Sequence, residues 1–174
     1  LFISRAKRIG EKVIFKTHKL PDRIDFEDGY FDVVISAYSL YFFTDMLQEI
    51  KRILSNTGTF IAITHSEKML EEGKRFFDFK NLRTVIENFS AENGESLLKK
   101  YFSNITTVEY NNSLLFRKGD EDKLSLYIDF KREFISEDAD PGQVRETMLA
   151  ELNRHGELRL NKNDKIFNYL KNKG

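Results

Sequence analysis

The sequence contains no cysteine, no tryptophan, only two prolines and no net charge at pH 7. Without cysteine there is no disulfide framework and no thiolate-bound metal. No apolar run approaches the ~18 residues that a transmembrane helix needs. No secretory leader reads at the start, and a cytoplasmic location is the default expectation. Balanced charge argues against a dedicated nucleic-acid surface, which shows a basic excess. No Gly-rich phosphate loop of either common type is present. There is also no internal repeat, low-complexity tract or interdomain linker. With 32% charged and 40% hydrophobic residues in a chain of 174, the composition suits one folded domain rather than disorder.

The most informative stretch is Phe26 to Phe43, FEDGYFDVVISAYSLYFF. An acidic turn leads into Phe31, Val33, Val34 and Ile35, a short apolar block with a β-branched centre. Such a block predicts an interior strand of a parallel sheet, covered on both faces. Ser36, Ala37 and Tyr38 follow at its carboxyl end. In open α/β sheets, ligands sit outside the carboxyl ends of strands, so a site is expected there.

Elsewhere the pattern predicts a helix ending at Leu1–Gly10 and a short strand at Val13–Phe15. A helix is expected over Asp45–Leu54, capped by Thr44 or Asp45 and stopped by Asn56-Thr57-Gly58. Thr59–Thr64 reads as a buried strand. Ser66 to about Phe89 reads as a helix broken near Gly73, and Glu95–Phe102 as a shorter one. Ile105–Phe116 is β-rich, with a bulge at Asn111-Asn112. Two helices, Lys123–Phe134 and Gln143–Arg154, flank an acidic turn at Ser136–Gly142. Gly156–Leu170 holds one or two strands around a turn at Asn161–Asp164.

The acidic-Gly turn, Phe-Asp-Val-Val-Ile-Ser, the Leu-aromatic exit and the Lys-Arg-Ile-Leu helix end resemble the middle of a class I S-adenosylmethionine-dependent methyltransferase. KRILSNTGTFIAITHSEK (Lys51–Lys68) is similar to the family's helix, Gly turn and fifth strand. ENGESLLKKYFSNITTVEY (Glu92–Tyr110) is similar to the helix and sixth strand of bacterial small-molecule methyltransferases. The resemblance implies a Rossmann-like, mostly parallel α/β sheet with flanking helices, an antiparallel last strand and a helical insertion before it. It implies a single domain over 1–174, incomplete at its N-terminus, because the family's first strand, Gly-rich cofactor loop and acid-tipped second strand do not read in this sequence. Residues 119–155 are the expected insertion, with Leu124, Tyr127, Ile128 and Phe134 either covering substrate or packing the helix pair on the sheet.

The cofactor so implied is S-adenosylmethionine, with a small molecule as acceptor and neither nucleic acid nor membrane as partner. By resemblance Ser36, Ala37 and Tyr38 approach its methionine or adenosine part; the plainer alternative is a strand-to-helix turn. His18, Lys19 and Leu20 stand where the family contacts adenine. Lys19 occupies the place of an expected acid, and an ammonium cannot accept a hydrogen bond from the exocyclic amine. Tyr41, at a position often His in the family, is an expected catalytic residue at the floor of the site, or else a packed aromatic. Phe42 and Phe43 read as core.

His65 leaves the next strand on the same edge, placed to act as a base or to serve as a structural histidine. A metal shared by His65 and His18 is excluded, because the expected strand order 3-2-1-4-5 separates their strands by four positions, roughly 19 Å. The acidic clusters at Asp120–Asp122 and Glu137–Asp140 read as caps and solvated turns. Methyl transfer needs no protein nucleophile, so the lack of a triad does not oppose this reading. Two other functions stay open on sequence: a non-catalytic, methyltransferase-like binding module, favoured by Lys19, and another Rossmann-like nucleotide enzyme.

Overall fold

The computed structural model describes Lys16, Lys19, Leu20 and residues 23–78, 80–134 and 139–170. The expected helix at Leu1–Gly10, the strand at Val13–Phe15, and His18 lie outside these residues.

The main sheet has four strands: β1 (Phe31–Ala37), β2 (Leu54–His65), β3 (Ile105–Tyr110) and β6 (Asp164–Leu170), in the order β1-β2-β6-β3. β1 and β2 are parallel; β6 is antiparallel to both β2 and β3. Three of the four strands therefore run one way, and the last in sequence runs against them. The fold class expected from sequence is met. The carboxyl ends of β1, β2 and β3 and the amino end of β6 all meet at one lip. There His65 pairs with Asp164, and Asp164 with Tyr110.

β2 alternates as a sheet strand with one deeply covered face should, with Phe60, Ala62 and Thr64 buried. On that face Phe102 meets Phe60 at 5.3 Å and Tyr169 at 4.7 Å, and Phe89 meets Phe167 edge-on at 5.6 Å. Those residues frame the short helix α3 (Gly94–Leu98). A β-carbon at Gly94 would lie 2.8 Å from the Phe167 ring and 3.1 Å from that of Phe89. Neither ring can retreat within this packed face, so Gly94→Ala is expected to destabilise the fold by about 1–3 kcal/mol. A thermal melt would check this, and an unchanged midpoint would show that the rings yield.

The interior, two-sided setting expected of Val33–Ile35 is not what the structure has. β1 is parallel to β2 as expected, but among the described residues it is the outer strand. Val33 is 53% and Ile35 62% exposed. Its inner face alone packs, through half-buried Val34. Phe42 is likewise 52% exposed rather than core, whereas Leu40 and Tyr41 are buried and Phe43 packs partly against the core.

The helix expected at Asp45–Leu54 is a 3-10 turn at Thr44–Met46 followed by α1 (Leu47–Ile53), with no side-chain cap. Asn56–Gly58 does not end that helix. These residues form an irregularity inside β2, where Phe31 faces Leu54 and Val33 faces Thr59. Arg52 of α1 pins the preceding connection. It donates to the Phe26 and Ile24 carbonyls at 2.8 and 3.0 Å and to Asp28 at 2.7 Å, and it pairs with Glu49. The long helix expected over Ser66–Phe89 is only a 3-10 turn (Glu71–Arg75) and α2 (Lys80–Ile86). Leu70 takes a left-handed conformation, and its N–H donates to the Asn161 carbonyl at 2.6 Å. That tertiary bond replaces a helical one.

Ile105–Phe116 is not one bulged strand. Asn111–Asn112 mark the passage from β3 to β4 (Ser113–Arg117), which pairs with β5 (Glu157–Asn161) in a separate two-stranded ribbon. The ribbon frames α4 (Glu121–Lys131) and α5 (Pro141–His155), so the excursion is wider than the two helices expected. Asp140 caps α5 by accepting from the Gly142 N–H at 3.0 Å. Pro141 opens the helix and Gly156, at φ +73°, closes it. Leu124, Ile128, Met148, Leu152 and Leu160 are almost wholly buried between ribbon and helices. Among the described residues no helix is long and apolar enough to cross a membrane.

Candidate active site

At the lip of the sheet, Asp164 opens β6 with its side chain wholly buried and four groups directed at it. His65 Nδ1 lies 2.6 Å from Oδ1. The Tyr38 hydroxyl donates to Oδ2 at 2.7 Å and Asn112 Nδ2 at 2.9 Å, and Lys162 Nζ stands 3.6 Å away. Burial opposes ionisation of this carboxyl. The hydrogen bonds from His65 and Tyr38, the charge interaction with His65 and the bond from Asn112 outweigh it and hold the group below the usual carboxylate range. An ionised carboxylate only accepts, so the bridging proton belongs to His65 Nδ1. In the neutral ring Nε2 then keeps its lone pair.

Local backbone geometry brings these groups together. The Tyr38 N–H donates to Ile63 O at 2.8 Å, the last rung between β1 and β2. Tyr38 then turns into the left-handed region at φ +53°, uncommon for an aromatic residue. Its ring stacks on His65 at 4.4 Å while its hydroxyl reaches Asp164. Burial and then the hydrogen bond to Asp164 push the Tyr38 phenol well above its ordinary value. Tyr41 is raised by burial and then by the Asp164 charge. Both phenols are neutral donors at physiological pH. Asn163, also left-handed, makes the turn that delivers Asp164.

Beside this cluster lies a cavity of about 480 Å³. Its floor is Tyr38, Tyr41, Phe42 and His65; its far wall comes from Leu114 of β4 and from Tyr127, Phe130, Lys131 and Phe134 on and after α4. A larger, open hollow against Lys16, Arg23 and Phe26 lies at the amino end of β1, the edge where open α/β sheets do not place ligands.

The structure thus brings three sequence-named residues together, Tyr38, Tyr41 and His65. Ser36 is half-buried with its Oγ 2.9 Å from Ser39 Oγ, and Ala37 is exposed at the lip. Lys19 is exposed, Leu20 packs partly against the core, and neither lines the cavity. Of the excursion residues, Tyr127 and Phe134 line the cavity whereas Leu124 and Ile128 are buried in packing. Asp164, Asn112 and Lys162 were missed. Asp164 lies 99 residues from His65 and no local spacing announces it.

The family described as methyltransferase domain matches residues 3–62. Among solved structures, a candidate methyltransferase from Bacillus halodurans C-125 aligns at TM-score 0.57 and 11% identity, over 98% of this chain and 77% of its own. The YcgJ protein of Bacillus subtilis aligns at 0.56 and 16%, over 99% and 77%. The [4+2]-cyclase SpnF aligns at 0.53 and 14%, over 99% and 61%. Comparison with curated proteins gives no match. The match over residues 3–62 and the likeness in fold are what this chain shares with methyltransferases.

Proposed function

We propose that this protein is a cytoplasmic methyltransferase that moves the methyl group of S-adenosylmethionine onto a small molecule held beside His65. The observation that carries this reading is the buried Asp164–His65 pair on the wall of an aromatic cavity at the carboxyl lip of the sheet.

The donor set at the lip suits the cofactor. Among the described residues the Ser36–Ser39 hydroxyl pair offers one O–H beyond its mutual bond, and Ala37 leaves the rim open. By resemblance, His18, Lys19 and Leu20 serve the adenine side. Bound there, the cofactor supplies a methyl group already activated for displacement.

The chain's own task is alignment, which can remove about 7–11 kcal/mol of barrier in favourable cases. Asp164 fixes the His65 ring and its tautomer. His65 Nε2 then takes the proton of an acceptor O–H or N–H as the methyl arrives. The neutral Tyr41 phenol orients the acceptor. Tyr127 and Phe134 cover it from α4 and the turn after it, and shed water from the reacting atoms.

A second reading is a binding role, or another chemistry, on the same fold. Exposed Lys19 in place of an acid favours it, as does the likeness to a cyclase. Incubation with methyl-labelled S-adenosylmethionine and pools of phenols, amines and carboxylic acids separates the two. Label is expected in a small organic product. Binding of S-adenosylhomocysteine with no labelled product from any pool would favour the second reading.

A further inference from the structure

Among the described residues the cavity is lined by two lysines, Lys131 and Lys162, and by no carboxylate. Lys162 is partly neutralised by Asp164 at 3.6 Å. Lys131 has no acidic partner among the described residues. It stands 5.5 and 5.3 Å from the centres of the Phe130 and Phe134 rings and half-buried on the cavity wall. Burial, and after it the nearby Lys162 charge, lower its ammonium below the ordinary lysine value.

The remaining walls are apolar or aromatic: Tyr41, Phe42, Met69, Leu70, Leu82 and Leu114.

We infer that the acceptor is a largely apolar molecule bearing an acidic group, the anion held by Lys131 and Lys162. This rests on the methyl-transfer reading for its role as acceptor, but the charge preference is a property of the cavity itself. A carboxylate there has two sources, the acceptor or the amino-acid end of the cofactor, and the test must tell them apart.

Calorimetry on the full protein with 1-naphthoate, 1-naphthamide and 1-naphthylmethylammonium reads the preference directly. Naphthoate is expected to bind at least about fivefold tighter than the amide, as charge-assisted hydrogen bonds predict, with the ammonium weakest. Lys131→Met is expected to abolish that preference while leaving amide binding in place. Lys131→Arg should keep it. Equal binding of the three probes, or an unchanged preference in Lys131→Met, overturns the inference.

Saturating S-adenosylhomocysteine should leave naphthoate bound. Its displacement would assign the lysines to the cofactor and overturn the acceptor assignment. Homocysteine-nucleoside binding without a naphthoate preference sinks this inference alone. The preference without any nucleoside binding upholds the cavity's choice of anion and removes the methyl-transfer reading.

Discussion

Replacing His65 by glutamine is expected to lower kcat by about 10²–10⁴-fold, the usual contribution of a positioned general base. Glutamine can still donate to Asp164 from its amide, so the buried carboxylate stays partnered. What it lacks is a basic nitrogen. Affinity for S-adenosylhomocysteine should change little, because the proposed function places His65, stacked on Tyr38 at 4.4 Å, against the acceptor rather than the cofactor. His65→Ala should match the loss in rate and add a loss in stability. A glutamine variant that keeps most of its turnover would make His65 structural, the plainer alternative its sequence position already allowed.

Asp164→Ala is expected to have the largest effect on stability. It removes the acceptor shared by His65, Tyr38 and Asn112 and leaves Lys162 without its counter-charge. Removing one partner of a buried charged pair typically costs about 3–5 kcal/mol. For a chain of this size that is a fall in Tm on the order of 10 °C.

The pH dependence follows from the sign of the shift. Asp164 has its folded pKa below the unfolded value, so its stabilisation is fully present above the unfolded carboxylate pKa. It is lost as pH falls through the lower, folded value. Asp164→Asn should flatten the acid side of a stability–pH curve. A melt of Asp164→Ala within about a degree of wild type, a shift too small for that mechanism, would mean the cluster contributes nothing net.

The two helices of the excursion, 121–131 and 141–155, were legible because their stops are local chemistry: the Asp140 cap, Pro141 and Gly156. The central strand before His65 was legible from its β-branched alternation, and the lip from the rule that ligands gather at strand carboxyl ends. The helix expected at Ser66–Phe89 failed because the Leu70 N–H and the Glu72 side chain bond to Asn161 in β5, a contact that no local pattern encodes.

The two-sided burial expected of Val33–Ile35 failed on the described residues because a β-branched run reads the same whether one face or two are covered. By resemblance, the far edge of β1 is where the family's first strand pairs. The proposed methyl-donor reading therefore rests on the lip and on the match over residues 3–62, not on a buried central strand. Asp164 was read as part of a turn. Only the antiparallel pairing of β6 with the end of β2 brings it to His65.

Calorimetric titration of the full protein with S-adenosylhomocysteine addresses the shared premise most directly: that the rim at Ser36–Tyr38 holds an adenosyl sulphur compound. A saturable heat with one site per chain, weakened when Ser36 is replaced by Val, is the predicted result. No heat and no thermal shift at any concentration, or an affinity indifferent to Ser36→Val, would contradict it.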